Sequence, residues 1–161
     1  MVFCLTGRIH GSLDPVGKSK LQGQNYLIAL DITAGEPDRT IHHELWHVIE
    51  MKLSTDSFLH PRWQAANPEG FLYYGRYDSG YQDLTQWTYN VEPGNCYFVS
   101  AYSRINSRED RATIMEAVMA TDASALMGSG HMKEKLQIIS NEIRNQFDTT
   151  GWQTPYWERY L

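Results

Sequence analysis

A chain of 161 residues with 42 % hydrophobic and 20 % charged side chains can bury a core as one domain, residues 1–161, and does not have a disordered composition. Fourteen Lys and Arg against nineteen Asp and Glu leave a net charge of −5, which argues against nucleic acid as a partner, because no excess of cations is available to displace counterions. No apolar run approaches the roughly 18–20 residues of a transmembrane segment.

Met1-Val2-Phe3-Cys4-Leu5 has no basic segment, and no small-residue cleavage site follows, so no signal peptide is expected. A strand beginning this early suits a domain cut from a longer secreted precursor, and equally a compact cytoplasmic protein. Cys4 and Cys96 show no CxxC spacing, which excludes a zinc ribbon or finger. Two unpaired buried thiols are the expectation, with one disulfide as the alternative.

Val2–Ile9 reads as a strand and Gly11–Gly23 as a loop or hairpin connection. In Asn25–Ile32, Tyr26, Ile28, Leu30 and Ile32 alternate on one face, which predicts a strand. Gly35-Glu36-Pro37-Asp38 turns into a helix that runs to about Leu53. A second short helix is expected over Ser57–Ala66, broken at Pro61. Tyr73–Asn90 lacks a period and reads as a long loop, and Tyr97–Ala101 as a short strand or the start of a helix. Ser107-Arg108-Glu109-Asp110 matches a capping box, so a helix should follow to about Thr121. Met132, Leu136, Ile139, Ile143 and Phe147 recur at helical spacing over His131–Phe147, and the aromatic tail Gly151–Leu161 should dock on the domain.

The chemistry concentrates in Ile41-His42-His43-Glu44-Leu45-Trp46-His47-Val48. Residues i and i+4 of a helix stand on one face, so His43 and His47 can hold one Zn²⁺. Glu44 then lies beside the open metal position, where it can take a proton from water and return it to a leaving amine. His42 points away from the pair, and His10, His60 and His131 are isolated and read as structural. Catalytic zinc usually takes three protein ligands. No third His follows in the HExxHxxGxxH manner, so a downstream acid is required. Glu109 is the first choice, with Asp110 and Glu116 as runners-up. Glu50 shares the face of His43 and His47 but lies too far along to close the same site, and reads as a group supporting the ligands or as a solvated one.

His43–His47 with a downstream Glu resembles the gluzincin metallopeptidases. Tyr102, seven residues before Glu109, resembles the Tyr that donates to the oxyanion in anthrax lethal-factor-like peptidases. Glu109-Asp110-Arg111-Ala112 and the ending Thr150-Gly151-Trp152 through Trp157-Glu158 look like uncharacterised zinc metallopeptidase domains of gut-type bacteria, a likeness that covers Asn25–Leu161. The resemblance implies a secreted or cell-surface setting, Tyr102 as oxyanion donor and Glu109 as third ligand. The family often places an acid four residues after that ligand to orient a zinc His. Here that position is Thr113, and Asp110 is the expected substitute.

The expected fold is α+β and zincin-like, a small mixed or antiparallel sheet with an HExxH helix and a second ligand-bearing helix. Asn25–Ile32 is the candidate edge strand for an extended peptide or protein substrate. Arg104, Arg108 and Arg111 read as solvated helix-flank charges. The expected activity is zinc-dependent peptide-bond hydrolysis. A non-catalytic zinc-containing binding module and a metal-dependent amidase on a non-protein amide are the alternatives.

Overall fold

The computed structural model of the chain describes residues 1–10, 15–53, 56–73 and 96–161. Three strands, β1 (Val2–Thr6), β2 (Gly17–Gln22) and β3 (Asn25–Asp31), form a mixed sheet in the order β1-β3-β2. Four helices follow among the described residues: α1 (Pro37–Leu53), α2 (Asp56–Ala65), α3 (Ser107–Ala120) and α4 (Gly130–Gln146). The fold is therefore α+β, and no helix among the described residues is long and apolar enough to cross a membrane.

β3 is central and not an edge: β1 pairs with it in parallel, Val2 opposite Leu27, and β2 pairs antiparallel, Gly17 opposite Leu30. The expectation of an exposed Asn25–Ile32 edge is thus corrected, because Gly17–Gln22, expected in a loop, is a strand covering that side. Its sequence, GKSKLQ, is polar and largely exposed, so it carries no apolar alternation. Gly23, at φ +62°, takes the left-handed conformation that the tight β2–β3 turn requires. Ile28 and Leu30 of β3 are buried against Val48, with Ile41 and Leu45 beside them, so one side of α1 lies on the sheet.

The second side of α1 enters the main core. Trp46 and Leu53 join Ala112, Met115 and Val118 of α3, Met132, Leu136 and Ile139 of α4, and Trp63 of α2. Each of the Val, Leu, Ile and Met side chains contributes about 1.5–3 kcal/mol on burial. Pro61 lies inside α2 and does not break it; a proline removes one backbone hydrogen bond, and Trp63, fully buried two residues on, anchors the helix. Tyr97–Ala101 is irregular and leads into a 3-10 turn at Tyr102–Arg104. The tail docks through Trp157 and Tyr160. The long loop expected over Tyr73–Asn90 lies, apart from its first residue, outside the described residues. Both cysteines are free, Cys96 buried and Cys4 only half-buried.

Candidate metal centre

The third side of α1 carries His43, Glu44, His47 and Glu50, and faces the first turns of α3. Asn106 caps that helix: its side chain accepts from the backbone N–H groups of Arg108 at 2.9 Å and Glu109 at 3.0 Å. The cap is thus one residue earlier than the Ser107 expected from the capping-box pattern. Satisfying the N–H of Glu109 fixes the turn on which its carboxylate projects towards α1.

Glu109 Oε2 lies 3.0 Å from His43 Nε2 and 3.4 Å from His47 Nε2, and the two Nε2 atoms are 3.2 Å apart. Three atoms bonded at 2.0–2.1 Å to one centre, at the tetrahedral angle, stand about 3.3 Å from each other. The observed triangle has that size, so this group can hold a metal ion.

Carboxylates behind the imidazoles set their orientation. His43 Nδ1 is 3.1 Å from Glu116 Oε2, and the other oxygen of Glu116 accepts from Arg39 Nε at 2.7 Å. His47 Nδ1 is 3.7 Å from Glu50 Oε2, while Glu50 Oε1 accepts from Arg111 Nε. At His43 the carboxylate hydrogen-bonded to Nδ1 holds the proton there and leaves Nε2 turned towards Glu109; at His47 the 3.7 Å separation from Glu50 is an ion-pair distance and not a hydrogen bond. Glu116 therefore occupies the role the sequence reading gave to Asp110. It stands seven residues after Glu109, on the same helical face, one turn beyond the four-residue offset of the family pattern. Arg111 is not solvated; it is 2 % exposed.

Asp110 is corrected as a support for the imidazoles. One residue from Glu109 is about 100° around the helix, which carries it into the core. Its Oδ2 there accepts from Lys135 Nζ at 2.8 Å, Tyr73 Oη at 2.8 Å and Trp63 Nε1 at 3.0 Å. Burial pushes the Asp110 carboxyl up, and the neighbouring Lys135 ammonium opposes it. This buried knot ties α2 and α4 to the first turn of α3.

Without metal, burial disfavours charge on His43, but hydrogen bonds to Glu109 and Glu116 outweigh it and raise the imidazole from 6.5 to about 9. Burial likewise opposes charge on His47, and Glu109 and Glu50 raise it to about 9. Glu109 faces both imidazoles and raises both.

A cleft of about 1000 Å³ opens on this group. Glu44, 7 % exposed, lines it, as do Tyr102 and Arg108. The Tyr102 ring centroid is 5.9 Å from that of His43. Gly17, Lys18 and Ser19 of β2 line it as well, and so does His10. His42 faces a separate apolar cavity behind α1, and His131 stacks on Tyr97 at 3.8 Å. The His60 side chain lies outside the described residues. No family model matches the chain, and no curated protein and no solved structure matches it.

Proposed function

We propose that the protein is a zinc-dependent metallopeptidase of the gluzincin type with a zincin-like fold. The observation that carries the reading is the triangle of His43, His47 and Glu109 at the floor of a cleft that Glu44 also lines. Two imidazoles and one carboxylate are a zinc donor set that leaves a coordination position for water. Bound zinc supplies the Lewis acid that acidifies water and polarises a substrate carbonyl.

Glu44 accepts the proton of the attacking water and delivers it to the leaving amine as the C–N bond breaks. Its burial keeps the carboxylate close to the reacting atoms and limits competing solvent. The Tyr102 hydroxyl donates to the developing oxyanion, and a donor placed for that charge is worth about 2.7–4 kcal/mol. Glu116, hydrogen-bonded to His43 Nδ1, orients that imidazole, and the Glu50 carboxylate adds negative charge beside His47. β2, at the edge of the sheet and along the cleft, is the strand to which an extended peptide adds. The resemblance in the sequence extends the proposal to a secreted or cell-surface protein.

The test is metal analysis followed by peptide-library cleavage with wild type and Glu44→Gln at equal zinc occupancy. The reading expects zinc near one per chain and cleavage that the substitution slows by about 10²–10⁴-fold. Equal cleavage by both proteins rejects Glu44 as base. Full zinc with no peptide cleaved leads instead to the amidase and to the non-catalytic module.

A further inference from the structure

Gly17 opens β2 directly opposite the HExxH helix, and its hydrogen atoms occupy the place where any other residue carries a side chain. A Cβ built there lies 2.5 Å from Thr40 Cγ2, 2.8 Å from Glu44 Cγ and 2.9 Å from Glu44 Oε1. All three distances are well below ordinary van der Waals contact. The backbone does not call for glycine: Gly17 is not among the residues at positive φ, in contrast to Gly23, Gly70 and Gly151. What requires glycine here is the approach of β2 to α1. Thr40 and Glu44 are four residues apart on one face of the helix, and the bare strand rests against both.

We propose that Gly17 is a positioning residue for Glu44: the missing side chain at the start of β2 is what lets the Glu44 carboxylate occupy its place in the cleft. The inference rests on the reading of Glu44 as the general base. The strand pairs with β3 through Leu30, a core residue 2 % exposed, so β2 is braced from behind. The nearest clash is with Thr40 Cγ2, followed by Glu44 Cγ and Oε1; the Glu44 side chain can turn about its χ angles, so the expected response to an added methyl group is a displaced Glu44 carboxylate together with a shifted Thr40 methyl. The three atoms nearest the built Cβ belong to Thr40 and Glu44, and none of them to His43, His47 or Glu109. The first effect of a side chain at Gly17 is therefore expected at the base rather than at the metal. A small displacement at a proton-transfer site is enough to matter, since a misplacement of about 1 Å can cost on the order of 10²-fold in rate.

The experiment combines the zinc-loaded crystal structure of Gly17→Ala with a kinetic cycle of wild type, Gly17→Ala, Glu44→Gln and the double substitution. The expected structure keeps His43, His47 and Glu109 in place and shifts the Glu44 carboxylate by about 1 Å or more. The expected kinetics are a loss on the order of 10²-fold in kcat, KM and zinc affinity unchanged. In the Glu44→Gln background Gly17→Ala causes no further loss, because the base through which it acts is already absent. A structure in which Glu44 stays and β2 retreats overturns the inference, as does an equal loss in both backgrounds. If Gly17→Ala fails to fold, the same substitution with Thr40→Ser, which removes the methyl group 2.5 Å away, takes its place in both arms. A wild type that cleaves no peptide counts against the peptidase reading; the position of Glu44 in the variant crystal still decides whether Gly17 holds it.

Discussion

Replacing Glu116 by Gln tests whether the carboxylate behind His43 supports the metal. In the wild type one oxygen of Glu116 takes the His43 Nδ1 at 3.1 Å and the other takes Arg39 Nε at 2.7 Å. Both partners are donors when His43 is a metal ligand through Nε2. A glutamine amide has one oxygen and one NH₂, so it can accept from only one of them and must turn its own donor towards the other. The substitution thus removes a charge and creates a donor–donor contact at a side chain only 16 % exposed. Loss of such a partner typically weakens metal affinity 10–100-fold, about 1.4–2.7 kcal/mol. Competition against a chromophoric chelator at pH 7.5 measures it. The reasoning is refuted by an affinity within twofold of wild type, and also by a loss as large as that of Glu109→Gln, which would make Glu116 a ligand.

Zinc-free protein should lose stability as pH rises. His43 and His47 are raised to about 9 from an unfolded value of 6.5, so their contribution is complete below pH 6.5 and disappears as pH rises through 9. Urea midpoints of the zinc-free protein should fall across that window, while zinc affinity rises across it because metal and proton compete; midpoints that climb contradict this. Lys135→Met should destabilise the fold by about 3–5 kcal/mol, since it strands the buried Asp110 carboxylate, and a urea titration showing less than 1 kcal/mol would remove the knot from the account. Tyr102→Phe should lower kcat on the order of 10²-fold with KM nearly unchanged; an effect confined to KM would make Tyr102 a substrate contact only.

The parts of the site that were legible in the sequence are the local ones. His43, Glu44 and His47 are placed by the period of one helix, and the chemistry of zinc then demands an acid like Glu109. The supporting acid was harder, because Glu116 meets His43 across 73 residues of chain, and its face is defined only once α3 is seen to lie along α1. The inward direction of Asp110 is hidden for the same reason: nothing local says which way the first turn of α3 is rotated. A trace of the answer lies in α4, where Lys135 interrupts the stripe of Met132, Leu136 and Ile139 and so announces a buried anion. β2 escaped because an edge strand with Lys18, Ser19 and Lys20 buries little and has no apolar pattern. That omission made β3 look like the edge and hid the role of Gly17.

The central claim is that His43, His47 and Glu109 hold one zinc. Anomalous diffraction at the zinc edge from crystals of the zinc-loaded protein tests it most directly. The account predicts a single strong peak per chain, about 2.0–2.2 Å from His43 Nε2, His47 Nε2 and a Glu109 oxygen. A peak at other side chains, or a peak on the two imidazoles with the Glu109 carboxylate turned away, contradicts it.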